Sequence, residues 1–86
     1  MMEKPPRNIP EDVEENFYAE TENVLARDPA SAYRPLKYKV GTVVWAPGLE
    51  IAEQGKVRRA LAGIYIIEFG DNSYVVCRES DLGNIH

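Results

Sequence analysis

The chain has 86 residues, 44% of them hydrophobic and 28% charged, with a formal net charge of −4. That length holds one domain at most, and the composition is that of an ordinary globular protein. The acidic balance argues against a duplex-binding protein, which carries a clear basic excess, and no run approaches the roughly eighteen apolar residues of a membrane span.

The acidity is concentrated at one end. Residues 1–36 carry four basic side chains against eight acidic ones, whereas residues 37–86 carry six of each and are neutral. The opening MMEKPPRNIPED contains no apolar leader. The single Cys77 cannot form an internal disulfide, and inside an apolar run it reads as a small buried hydrophobe. Together these point to an intracellular, reducing compartment.

Residues 1–9, with Pro5-Pro6, read as a flexible N-terminus. Residues 10–28 then take up a helical period: Val13, Phe17, Thr21, Val24 and Leu25 fall on one stripe. Asn8 followed by Glu11 resembles a capping box, and Pro10 suits a first turn. Glu11, Asp12, Glu14 and Glu15 complement the positive end of the helix dipole and Arg27 the negative end. Asp28-Pro29 stops the helix. The stripe of Val13, Phe17, Val24 and Leu25 needs a cover. It either packs on the rest of the chain or docks a folded partner or a second copy.

Residues 29–37, with Pro29 and Pro35, are a connector long enough to let the helix fold back. Residues 38–86 read as β structure. Four short runs, Val40 to Ala46, Lys56 to Leu61, Ile64 to Phe69 and Tyr74 to Cys77, are separated by isolated turn residues too closely spaced for helices. Residues 48–54 form the first loop, Ala62-Gly63 a tight connection and Gly70-Asp71-Asn72-Ser73 a hairpin turn. Residues 78–82 read as one helical or 3₁₀ turn, and Gly83-Asn84-Ile85 as a fifth strand. The fold class is therefore mainly β: a small five-stranded antiparallel barrel preceded by an amphipathic α-helix.

The chemistry of catalysis is poorly represented. The one histidine is His86, so neither a Ser-His-Asp nor a Cys-His arrangement is credible. One Cys and one terminal His cannot build a structural zinc site. The glycines are isolated turn residues rather than a phosphate-cradling loop, and Glu11, Asp12, Glu14 and Glu15 lack calcium-loop spacing. We expect neither an enzyme, nor a metal, nor a cofactor. Lys56, Arg58 and Arg59 offer a basic patch for nucleic acid; six acids in the same half of the chain favour a solvated face that blunts an edge strand.

The order V-G-x-V-V-x-A at 40–46, G-K-V at 55–57, Y-x-x-x-F at 65–69, D-N-S at 71–73 and R-E-S-D-L at 78–82 resembles the Tudor domain. It is closest in pattern to the single Tudor domains of the lamin B receptor and Polycomb-like proteins. The resemblance covers about residues 38–84 and leaves the N-terminal helix unmatched. It implies an SH3-like barrel, a nuclear chromatin setting, and recognition of a protein segment such as a histone tail bearing methylated lysine or arginine. In that family an aromatic cage holds the methylated cation by cation–π attraction. The resemblance places Phe69, Asp71, Asn72 and Tyr74 at one side of such a cage. The opposite side departs from the family pattern, with Pro47-Gly48 and Glu53-Gln54 where rings are usual. Trp45 either completes a partial cage or is buried in the barrel or under the helix. Phe69 and Tyr65 share a strand face, so one or both could be core. Tyr74 could be only a cross-strand partner. A degenerate Tudor barrel serving protein–protein contact fits the same substitutions.

Overall fold

The structure, a computed structural model, describes residues 9–48 and 51–84. It contains one α-helix, α1 (Glu11–Arg27), and five strands: β1 (Val43–Pro47), β2 (Ala52–Leu61), β3 (Ile64–Phe69), β4 (Tyr74–Arg78) and β5 (Gly83–Asn84). A 3₁₀ turn at Pro29–Tyr33 follows the helix and a second, Glu79–Asp81, joins β4 to β5. The strands form one antiparallel sheet in the order β4-β3-β2-β1-β5. Among the described residues no ladder joins β4 to β5, so the sheet is open rather than a hydrogen-bonded closed barrel.

The helix forms where its period and charges predict. Glu11, Asp12 and Glu14 occupy its first turn and Arg27 its last, favourable ends for the macrodipole. Its N-cap is Pro10, which makes no side-chain cap; the expected capping residue Asn8 lies outside the described residues. The stop is at Asp28, whose N–H reaches the Val24 carbonyl at 2.8 Å. Asp28 then accepts from Ser31 Oγ and Arg34, both at 3.1 Å, which ties the connector to the helix end.

The strand starts differ from expectation at two places. β1 starts at Val43, because Gly41 (φ 96°) and a Thr42 N–H···O=C Lys39 turn bond hold residues 39–42 in a turn. β2 starts at Ala52, four residues before the predicted Lys56. Ala52-Glu53-Gln54 has weak intrinsic strand preference, but it pairs with Trp45–Pro47, and pairing decides. β2 is also central rather than an edge, flanked by β1 and β3. Of the predicted fifth strand, Gly83 and Asn84 pair with Trp45 and Val44, and Ile85 lies outside the described residues.

Both faces of the sheet carry apolar clusters. Val44, Val57, Tyr65, Ile67 and Phe69 are among those filling the concave side, closed by Tyr38 and Leu82. On the opposite side Ile64 and Ile66 pack with Ile9 and Phe17, flanked by Val13, Val24 and Tyr74. The helix stripe is thus spent inside the chain: Phe17 is 2% exposed. Leu25 is half-buried and lies off that contact. Of the four residues considered for partner docking, Phe17 is covered by the sheet's own apolar back face, Val13 and Val24 are partly covered by it, and Leu25 is not in that contact.

Thr21, buried in the same face, donates its hydroxyl to the Tyr18 carbonyl at 2.9 Å and so leaves no polar atom stranded. Inside the curl, Gly55 sits opposite both Val44 and Phe69. A Cβ there would collide with Ile67 Cγ2 and press on Phe69 Cδ1 at 3.2 Å.

Two stability outcomes follow from this packing. Phe17→Asp is expected to unfold the chain rather than merely release a partner, since even removing a buried Phe ring costs roughly 3–5 kcal/mol. A folded Phe17→Asp variant with native circular dichroism would contradict the docking of α1. Gly55→Ala should lower the urea midpoint by an amount equivalent to about 1–3 kcal/mol. The control Gly70→Ala, where a Cβ meets nothing within 4 Å, should move it little.

Candidate functional site

The five residues assigned to a cage do not converge as a set: Phe69 and Asn72 line one shallow pocket beside Gly55 and Lys56, and Trp45 and Tyr74 lie elsewhere. Trp45 lies on the outward face of β1, between Val44 and Ala46, both of which point into the core. The residue is 41% exposed, so it is buried neither in the sheet nor under the helix. Phe69 is 8% exposed and belongs to the concave core, against the bare backbone of Gly55. Tyr74 pairs opposite Glu68 and packs on the helix side of the sheet, the face opposite Phe69. The three rings therefore face three different environments. The physical reason is strand alternation: Phe69 shares its face with Ile67 and Tyr65, both of which the core requires.

The turn residues are occupied locally. Asp71 Oδ1 accepts Ser73 Oγ at 2.6 Å and Ser73 N–H at 3.2 Å, which lowers its pKa. Asn72 takes a positive φ of 70°, the left-handed geometry the hairpin needs. Tyr74 donates its hydroxyl to Glu68 Oε2 at 3.0 Å. Burial and that carboxylate raise the phenol above its ordinary pKa.

The basic trio is likewise divided. Arg58 Nη1 lies 2.8 Å from Glu68 Oε1, and this bond holds the guanidinium above its usual pKa. Arg59 Nη1 meets Glu14 Oε2 at 3.0 Å and the Tyr18 hydroxyl at 2.7 Å. A register shift between Val57 and Arg59 turns both arginines outward, one onto Glu68 and the other onto α1. Of the three, Lys56 alone is exposed. A nucleic-acid phosphate would have to displace two existing carboxylate contacts.

A different set gathers at Trp45. Its ring lines a groove of about 490 Å³ with Pro47, Gly48, Ile51, Asp81 and Gly83 among the walls. Ile51 is 73% exposed. Asp81 is the single charged residue among the described residues of this wall, and its Oδ2 also accepts the Arg78 N–H at 3.1 Å. The groove combines an aromatic face on β1 with an aliphatic side chain from a loop and a carboxylate from a turn. Among the described residues it presents no nucleophile–base pair. Ile51 and Asp81 were missed because they sit in a loop and in a turn, joined to Trp45 only by the pairing of β1 with β2 and with β5. The one available signal was Ile51, a large apolar residue in a predicted loop.

The wall is braced from within. Tyr65 Oη donates to Glu79 Oε2 at 2.6 Å and accepts the Tyr38 N–H at 3.4 Å. The same Glu79 oxygen accepts the Lys37 N–H at 3.4 Å. Tyr38 Oη donates to the Leu82 carbonyl at 3.3 Å. Burial first, and the Glu79 carboxylate second, push the Tyr65 phenol up to about 12. Burial, helped by Asp81, pushes the Cys77 thiol up to about 12.

Both shifts favour the protonated form in the folded chain, so the unfolded chain gives up these protons first as pH rises. Their stability contributions are whole below the ordinary thiol and phenol values of 9.0 and 10.0. They are lost as pH climbs toward about 12. Urea midpoints should be level up to the ordinary thiol value and fall above it, with the fall reduced in Cys77→Ala. A midpoint that rises over that interval would contradict the burial of both groups.

Comparison of the chain with protein families, with curated proteins and with solved structures finds no match.

Proposed function

We propose that this chain is a non-catalytic binding module of the SH3-like, Tudor-like kind, which recognises a protein segment at the Trp45 groove. The five-stranded antiparallel meander, with its last strand returning to pair with the first, supports the architectural part of that reading. The observation that carries the functional part is the exposed Trp45 ring, held on β1 beside Asp81 and Ile51.

An indole face and a carboxylate in one groove suit a cationic side chain. The ring attracts the cation through its quadrupole, and the carboxylate orients it. Ile51 and Pro47 supply apolar contact for the neighbouring residue of the bound segment. The ligand is thus a lysine- or arginine-bearing segment, methylated or not, as in a histone tail. With one ring rather than several around the cation, methylation adds little. Recognition rests on charge and apolar contact together.

Trp45 is the chain's single tryptophan, so its fluorescence reports on the groove directly. Titration with matched peptides bearing lysine, trimethyl-lysine or alanine at one position should change that emission for the two cationic peptides. Trp45→Ala, read by NMR shifts of β1 and β5, should weaken binding by about tenfold, in the range expected for a desolvated cation–π contact. Asp81→Asn keeps an acceptor for the Arg78 N–H and removes the charge, so it should weaken the cationic peptides selectively. Equal binding of the lysine and alanine peptides, or no response from Trp45, would overturn the proposal.

A further inference from the structure

The outward side of the sheet is covered over only part of its area. On β3, Ile64 and Ile66 face outward and α1 lies over them through Phe17; Glu68 follows on the same face by strand alternation. The register then carries this face past the helix. Lys56 stands opposite Glu68, and Val43 opposite Lys56. Two residues further along β1 comes Trp45, with Gln54 opposite it. Residues opposite one another across a ladder point to the same side, so these positions form one continuous surface. Val43 is 45% and Trp45 41% exposed, which places both beyond the reach of α1.

Two hollows open on this surface. The first is the Trp45 groove, whose one charged residue among the described residues is Asp81. The second, of about 350 Å³, is lined by Val43, Gln54, Lys56 and Glu68 and by residues of the β3–β4 turn. They adjoin along the Trp45–Gln54 rung, one member of which lines each hollow.

Their charges are opposite. Glu68 is bound by Arg58 at 2.8 Å, and that ion pair has no net charge. Lys56 is exposed and makes no salt bridge among the described residues. Of the other acids nearby, Glu53 reaches Gly48 at the Asp81 end, and Asp71 lines neither hollow. The surface is therefore polarised, with a carboxylate at one end, an ammonium at the other and the apolar Trp45 and Val43 between them. A partner matched to it carries the same two charges in the opposite order.

Strand geometry sets the spacing. Lys56 is two residues along and one strand across from Trp45, which is about 8 Å in the plane of the sheet. Asp81 lies on the other side of Trp45, so a cation held between them is roughly 10–13 Å from Lys56, three or four residues of an extended chain.

We infer that the segment bound at Trp45 is bipolar: its cation enters the groove beside Asp81, an acidic side chain three or four residues away meets Lys56, and an apolar residue between them covers Val43. This rests on the Trp45 groove being a segment-binding site and adds the second residue that the surface reads.

The test is an NMR titration of the full chain with matched peptides containing one lysine. Two peptides carry glutamates at both the third and fourth positions, either before or after that lysine; their controls carry glutamine there, or alanine in place of the lysine. At least one glutamate peptide should bind about two- to fivefold more tightly than its glutamine control, the size of an exposed ion pair. It alone should shift the amides of Val43, Gln54 and Lys56, and its advantage should shrink as salt is added. Lys56→Gln should erase the advantage without changing the affinity of the glutamine control, and Lys56→Glu should reverse it. Lysine-dependent binding that does not distinguish glutamate from glutamine would overturn the inference and leave the reading of the Trp45 groove standing. So would an advantage that survives Lys56→Gln. Alanine and lysine peptides binding equally would instead remove the groove reading, and the inference with it.

Discussion

β3 must be covered on both faces, and most of the architecture answers that requirement. Ile64, Tyr65, Ile66 and Ile67 are consecutive and all buried. In a strand, consecutive side chains alternate between faces, so one cluster cannot shelter them all. Curling the sheet about Gly55 encloses Tyr65, Ile67 and Phe69. Ile64 and Ile66 are left on the outside of that curl, and α1 lies over them through Phe17. An 86-residue chain buries a limited fraction of its surface, so the helix is a structural half of the core and not an appendage. That is why its apolar stripe faces β3.

The bulge in β2 solves a second problem created by the same two-sided burial. With strict alternation, the inward Val57 would send Arg58 out and Arg59 into the concave core. An unpaired guanidinium there would be costly to desolvate. The register shift between Val57 and Arg59 instead aligns Arg59 with Ile66, on the helix side. Its guanidinium reaches Glu14 and Tyr18 there, while Arg58 turns to Glu68. Each bridge is partly solvated and worth at most about 1 kcal/mol. The larger consequence of the Arg59 contacts is geometric: they fix the azimuth of α1 over the sheet, which packing of round apolar groups would leave free to slide.

Much of this was readable in the residues. The helix, β3, the Ala62-Gly63 turn, the 71–73 turn and the 3₁₀ turn at 79–81 follow from local period and turn chemistry, which act over a few residues. The start of β2 at Ala52 did not, because Ala-Glu-Gln becomes strand only through its partner Trp45–Pro47. The bulge was invisible for the same reason: nothing in Val57-Arg58-Arg59 marks it until Ile66 and Ile67 stand opposite. The site suffered most. Phe69 and Tyr74 stand five residues apart across a hairpin and resemble neighbours, yet alternation sends their rings to opposite faces. Trp45 stands out in the residues, but Asp81 joins it only through the pairing of β1 with β5.

Two surfaces of the molecule meet at one short segment, and this constrains how it is built. Residues 78–82 give Asp81 to the Trp45 groove, while Arg78 and Glu79 line a cleft at the end of α1. A free three-residue turn could not hold side chains toward both at once. This one is tied at several points: Glu79 N–H to the Gly63 carbonyl at 2.9 Å, Leu82 N–H to the Glu79 carbonyl at 3.1 Å, and Arg78 N–H to Asp81 at 3.1 Å. The buried Tyr65 hydroxyl adds the shortest of the bonds, at 2.6 Å to Glu79. Glu79 takes part in three of these ties, through its N–H, its carbonyl and its carboxylate, and is the centre of the turn. Tyr65 supplies the common anchor because it is wholly buried on a strand sheltered on both faces. The double burial of β3 therefore fixes the turn on which both surfaces depend.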